Sequence, residues 1–181
     1  MTSSQKLKTF LEENKLSKKE LANMIGVTQS YVYNLADERV PFSTKRETIE
    51  RLAIVMGIEP TEFKEYISSS KNPYYINNSA GAKFLEIREN YEISNLELVK
   101  KVPRELQLKV VDILRGDANI PPDITLIKML LGLLSERFSN SDCLVILEAA
   151  LRDASKQAGT ILNEANIEMI KTMAKYYLES R

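Results

Sequence analysis

Between Leu16 and Leu35 the chain twice places a hydroxyl residue just ahead of apolar side chains spaced three and four apart, with a glycine between the two runs. Ser17 is followed three residues later by Glu20, the pattern in which hydroxyl and carboxylate reciprocally satisfy the free amides of a helix start. Leu21, Ala22 and Ile25 then form an inward face, and Gly26 is the residue type that ends a helix in left-handed geometry. Thr28 caps the next helix, with Val32 and Leu35 pointing inward. Two short helices joined by so tight a turn must cross closely. Ala22 sits at that crossing, where a larger side chain would push the helices apart. This arrangement is a helix-turn-helix.

The outer face of the second helix is unusual. It carries Gln29, Ser30, Tyr33 and Asn34, where a solvated helix normally carries long charged side chains. Gln and Asn present a donor and an acceptor together, as an adenine edge requires, and Ser or Thr serves either role. An amide-rich face therefore suits a helix that reads bases in the major groove.

The remaining pattern is helical almost throughout. Leu7, Phe10 and Leu11 share a face of a first helix, with Ser3 or Ser4 as its expected cap. Beyond a loop closed by Pro41, Ser43 or Thr44 is expected to cap a helix that turns Ile49, Leu52, Ala53 and Val55 inward. Pro60 opens a short fifth helix, "PTEFKEYI".

The stretch "LSKKELANMIGVTQSYVYNLADERVP…TIERLAIVMGI" resembles the lambda-repressor/Cro-like (XRE-type) helix-turn-helix family over about residues 5–67. The resemblance rests on Leu21-Ala22 in the first helix, Gly26-Val27 in the turn, Val32 and Leu35 in the reading helix, and Pro41 in the loop. It implies a five-helix domain that binds double-stranded DNA. By position it implies base contacts from Thr28, Gln29, Ser30, Tyr33 and Asn34, and phosphate contacts from Ser17, Lys18, Arg39, Ser43 and Lys45. One departure stands out: where the family usually has a glycine after the reading helix, this chain has Ala36, Asp37 and Glu38, so the exit loop is expected to bend differently.

Charge is consistent with this. The whole chain is balanced at 25 Lys+Arg against 25 Asp+Glu. From Lys15 to Arg46, however, six basic residues face three acidic ones. One such module makes few phosphate contacts and binds weakly, so a second copy, in cis or in trans, is expected.

An internal repeat supplies a candidate. "LKTFLEENKLSKKELANMI" (7–25) aligns with "FLEIRENYEISNLELVKKV" (84–102) at an offset of 77 residues, pairing Ser17 with Ser94, Glu20 with Glu97 and Leu21 with Leu98. "VDILRGDANIP" (111–121) answers the reading helix and its loop. The copy is degenerate where DNA reading would be built. Val99 replaces the alanine, "VPRELQLK" replaces the glycine turn, and Leu106, Leu108, Val110 and Val111 occupy the would-be reading helix. Two readings stand: a structural or dimerisation domain, or a second, weaker DNA contact through Arg104, Lys109 and Arg115.

The expected organisation is all-α. A DNA-binding domain (1–67) and a linker (68–80, within "SSSKNPYYINNSAG") precede a helical dimerisation or regulatory domain (81–181). That domain comprises the degenerate repeat (81–138) and a C-terminal helical hairpin (141–180). Ser141 or Asp142 is expected to cap the first hairpin helix, with Leu144, Leu147, Leu151, Ala154 and Ala158 along one face, and Gly159 interrupts. The last helix turns Ile167, Ile170, Ala174 and Tyr177 inward, with Met169, Met173 and Leu178 broadening the stripe. Such wide stripes exceed what a small module can cover. The expected dimer interface is therefore Leu106, Leu108, Ile167, Ile170, Ala174 and Tyr177.

Composition excludes several chemistries. With no histidine and only Cys143, Cys/His zinc sites and Ser-His-Asp or Cys-His nucleophiles are excluded within one chain. No cofactor, no metal and no enzymatic activity are expected. Cys143 reads as a small core residue, with a redox role as the alternative. No apolar run approaches the about 20 residues needed to span a bilayer. No export signal is visible, so a cytoplasmic protein is expected. The function expected is that of a sequence-specific transcriptional regulator, a repressor acting as a homodimer on a palindromic operator. The alternative is a protein-interaction factor, such as an antitoxin or phage-type inhibitor, whose C-terminal half binds a protein or effector.

Overall fold

The computed structural model describes residues 1–67, 79–116 and 122–179. Most of the expected linker, residues 68–78, and the second-copy loop with Pro121 lie outside the described residues. Ten α-helices and two short 3-10 turns account for the regular structure, and no strand occurs among the described residues. The chain divides into two units that do not follow chain order. One comprises Met1–Tyr74 with Asn95–Val111, the other Tyr75–Ser94 with Asp112–Arg181.

The first unit contains α1 (Ser3–Glu13), α2 (Lys18–Ile25), α3 (Gln29–Leu35), α4 (Arg46–Met56) and, from further along the chain, α6 (Asn95–Lys100). The expected α2 signals all hold. Ser17 Oγ accepts the Glu20 amide at 3.2 Å, and the Glu20 carboxylate accepts the Ser17 amide at 2.9 Å. Gly26 takes φ +70°, and the Val27 amide reaches back to the Ala22 carbonyl at 2.9 Å. That pair of features is a Schellman ending, which a side chain at Gly26 would strain. Thr28 caps α3 through the Tyr31 amide at 3.2 Å. Leu21, Ala22, Ile25, Val32 and Leu35 are buried together with Ile49, Leu52, Ala53 and Val55 of α4.

Three boundaries differ from expectation. Thr2, not Ser3 or Ser4, caps α1, in a reciprocal box with Gln5. Ser3 and Ser4 are buried in the first turn instead, and Ser3 donates its hydroxyl to Glu65. Lys45 occupies the cap position of α4 and, having no acceptor, makes no side-chain cap bond, while Ser43 two residues earlier is engaged by Tyr31. The fifth helix shrinks to a 3-10 turn, Pro60–Glu62, whose following Phe63 is buried and stacks on Phe42 at 5.5 Å.

The second unit is built around α9 (Asn140–Gln157), against which α5 (Ala80–Glu89), α8 (Ile124–Leu133) and α10 (Glu164–Glu179) pack. The division between units falls within α7 (Gln107–Arg115). Ser139, two residues earlier than expected, caps α9 through the Asp142 amide at 3.1 Å. Starting there lets Asp142 accept the Ser139 and Tyr91 hydroxyls, which hold its carboxyl below the usual range. Cys143, Ile146, Leu147, Ala150 and Leu151 form the α9 side of the core. Cys143 is buried, as a core residue should be.

Gly81 sits where two helices of this unit approach closely. A Cβ built there would stand 2.1 Å from the Ile113 carbonyl oxygen and 2.9 Å from that of Leu114. Both are backbone atoms, so only movement of a helix could make room. Gly132, inside α8, has nothing within 4 Å of the same position. Gly81→Ala should therefore cost about 3 kcal/mol through overpacking. Gly132→Ala should stabilise by about 0.5–1 kcal/mol, because a helical glycine is replaced at no steric cost. Urea unfolding of the two variants measures both.

Candidate nucleic-acid interface

At about 100° per residue, Gln29, Ser30, Tyr33 and Asn34 fall within one arc of about 140° on α3. All four are exposed, while Val32 and Leu35 on the opposite side are 0% and 2% exposed. Thr28, at the head of the helix, is exposed as well. The five expected base-contacting residues therefore lie on one solvent-facing surface. Tyr31 sits at its edge, half-buried, and donates its hydroxyl to Ser43 Oγ at 2.7 Å.

The expected phosphate contacts divide into two groups. Ser17 and Lys18 stand at the front of α2. Lys18 Nζ lies 4.6 Å from the centre of the Tyr33 ring, a cation–π contact that joins the start of α2 to the exposed face of α3. Ser43, Lys45 and Arg39 belong to the segment after α3. Ser43 is buried, held by Tyr31 and by the Lys45 amide at 3.1 Å, and Lys45 is exposed. Ser43 thus fixes the loop from beneath, and its link to Tyr31 ties that loop to the reading helix. The Tyr31–Ser43 bond was not legible in the sequence; the only signal was an aromatic residue at the edge of an otherwise polar arc.

The absent glycine has a physical counterpart. Asp37 Oδ1 accepts the Arg39 amide at 3.0 Å, an Asx turn that bends the chain without left-handed backbone. The same carboxylate takes the Arg39 guanidinium at 2.9 and 2.7 Å. Glu38 accepts Gln5 Nε2 at 2.7 Å, so the loop is also tied to α1. Both acids that follow the reading helix are therefore occupied by neighbours. Beside them a cleft of about 450 Å³ is lined by Lys8, Glu12, Lys18, Tyr33, Asn34 and Glu38.

Of the residues expected at a dimer interface, Ile170 and Ala174 are buried within their own unit. Ile167, Tyr177, Leu106 and Leu108 are half-buried. The exposed apolar positions of α10 are instead Met169, Met173 and Tyr176. Of the cations considered for a second DNA contact, Arg115 is 4% exposed and lies 3.6 Å from Asp112.

The geometry is that of a DNA-binding helix-turn-helix: a short reading helix with a polar outer arc, a close-crossed partner helix and cations at its front. Residues 7–63 match the family described as helix-turn-helix, and this part of the chain is a domain of its XRE/lambda-repressor-like type. Such a domain implies binding to double-stranded DNA. No curated protein and no solved structure matches the chain.

The Asp37–Arg39 pair generates an expectation about pH. Hydrogen bonds from the Arg39 side chain and then its amide hold the Asp37 carboxyl down to about 2. A value depressed by folding means the pairing is fully present above about pH 4, the ordinary carboxyl range, and is lost as pH falls through about 2. Carboxyl-carbon NMR should show Asp37 titrating near 2 in the native chain, and rising toward the ordinary range in Arg39→Ala.

Proposed function

We propose that this chain is a sequence-specific transcriptional repressor, located in the cytoplasm, that binds a palindromic operator as a homodimer. The observation that carries the reading is the exposed Gln29/Ser30/Tyr33/Asn34 arc, with Lys18 stacked on Tyr33 at its side. In this reading Gln29 and Asn34 hydrogen-bond to base edges, and Thr28, Ser30 and Tyr33 complete the groove contact. Ser17, Lys18, Arg39 and Lys45 hold phosphates on either side, with Ser43 positioning that loop. Arg39 must exchange Asp37 for phosphate when it binds. Occluding a promoter is the simplest mode of action for such a domain. No helix among the described residues is long and apolar enough to cross a membrane.

The homodimer is supported by the outer stripe of α10. Met169, Met173 and Tyr176 follow one another at four and three residues, and are 55%, 39% and 67% exposed. Apolar side chains at that spacing form a seam that a second helix can cover. Tyr177 flanks it, while Ile170 and Ala174 hold α10 onto α9 and Ile167 lies beyond them on the core side. Two-fold pairing would give half-sites about one helical turn apart, roughly 10–10.5 bp, or a multiple. The same stripe favours the second reading, in which the C-terminal half binds a protein. A stoichiometric partner co-purifying with the chain, in place of self-association, would select it.

Binding and sedimentation measurements test these assignments. With an operator selected from random DNA, Gln29→Ala should lose roughly 1–3 kcal/mol on the preferred site and relax preference at one base position. Lys18→Ala should instead weaken all sequences alike and flatten the salt dependence by about one. A Gln29→Ala variant with unchanged specificity would refute the groove assignment. In sedimentation, Met173→Asp should convert dimer to monomer while leaving the circular dichroism spectrum unchanged; a monomeric wild-type chain would refute the dimer.

A further inference from the structure

Residues 95–111 belong to the same unit as the helix-turn-helix domain, although they lie outside the stretch that matches the family. Three anchors hold them there. Asn95, 5% exposed, donates Nδ2 to the Ile54 carbonyl of α4 at 2.8 Å. Asn23, in the last turn of α2, donates Nδ2 to the Arg104 carbonyl at 2.7 Å. Leu108 covers the turn glycine, its Cδ2 only 2.8 Å from where a Cβ on Gly26 would stand. The segment is thereby fixed against α4, α2 and the turn together.

This docking holds Arg104 alongside α2, and Lys100 ends the docked helix α6. The Glu20 carboxylate closes the α2 cap, accepting both the Ser17 hydroxyl, at 2.6 Å, and the Ser17 amide. Those bonds lower its pKa first, and the positive charges of Lys100 and Arg104 lower it further. Both cations therefore lie within electrostatic reach of the cap, at the end of α2 that also carries Lys18 and Lys19. Lys100 and Arg104 are exposed. Arg104 is anchored through its main-chain carbonyl, which leaves the guanidinium available. Lys18, which reaches Tyr33 of the exposed α3 face, directly follows Ser17, whose cap partner Glu20 feels the charges of Lys100 and Arg104.

We propose that Lys100 and Arg104 bind DNA phosphates from within the degenerate second copy, and so extend the backbone footprint of the helix-turn-helix domain beyond its own residues. The inference rests on the DNA-binding reading above and adds to it a second source of phosphate binding. The second copy thus serves DNA binding without a reading helix of its own. Its buried Val110 and Val111 pack inside the protein, and its exposed cations act through the docked segment. Guanidinium and ammonium groups suit phosphate oxygens, which carry no sequence information, so the contribution is to affinity and salt dependence and not to base choice.

The test uses the full-length chain and its selected operator, with the affinity measured across a range of salt concentrations. The double variant K100A/R104A should flatten the slope of log affinity against log salt by about 1.8, about 0.9 for each phosphate no longer neutralised. Its ranking of operator variants should stay unchanged, and so should its thermal midpoint, because the docking bond uses the Arg104 carbonyl. The charge-retaining K100R/R104K should keep the wild-type slope. An unchanged slope in K100A/R104A, with Lys18→Ala still flattening it, would overturn this inference and leave the proposed function standing. A weakened operator ranking or a lowered thermal midpoint with an unchanged slope would show a structural role and overturn it too. A wild-type chain that binds no operator would overturn both.

Discussion

Ala22 and Gly26 set how closely α2 and α3 approach, and the rest of the first unit is arranged around that approach. Ala22 is 3% exposed at the crossing, and Gly26 turns the chain at φ +70° with its position covered by Leu108. A β-carbon at Gly26 would meet both left-handed strain and the Leu108 side chain. With the two helices locked in this way, Val32 and Leu35 are buried, and the opposite arc of α3 faces solvent. The exposure of Gln29, Ser30, Tyr33 and Asn34 follows from the packing on the other side.

Polar links then hold the surroundings of that arc in place. Tyr31 and Ser43 join the reading helix to the loop that carries Lys45, and Asp37 bends the loop and holds Arg39. Gln5 reaches from α1 to Glu38. A hydrogen bond to a charged group is worth about 1.5–3 kcal/mol where it is shielded from water, and less at an exposed position. The exposed bonds of Asp37 to Arg39 and of Gln5 to Glu38 therefore contribute more to geometry than to stability. They position the loop that carries Arg39 and Lys45.

The two units show how a repeat can be kept in sequence and redirected in space. The aligned stretches share Ser17/Ser94 and Leu21/Leu98, yet α6 packs on α4 of the first copy. Val99 in place of the crossing alanine, and the proline-containing "VPRELQLK" in place of a glycine turn, remove the close crossing that defines the motif. Freed from it, residues 95–111 complete the first unit, while α5, α8 and α10 gather on α9 in the second.

The sequence by itself determined the all-α class, the helix-turn-helix and its register. Those features rest on local rules: hydroxyl caps, a left-handed glycine, and apolar residues three and four apart. Ser17, Gly26 and Thr28 could be read directly for that reason, as could the polar arc of α3. Other local signals were ambiguous among neighbouring hydroxyls, and Thr2 and Ser139 took cap positions assigned to the residues beside them. Lys45 took the α4 cap, and Ser43 was drawn into a bond with Tyr31, twelve residues away. Only the tertiary structure decided that α10 buries Ile170 and Ala174 while exposing Met169, Met173 and Tyr176, because a wide apolar stripe does not say which of its edges meets the core. It alone decided that Asn95, Arg104 and Leu108 settle on α4, α2 and Gly26, since those contacts join residues 41 to 82 positions apart that no local pattern connects.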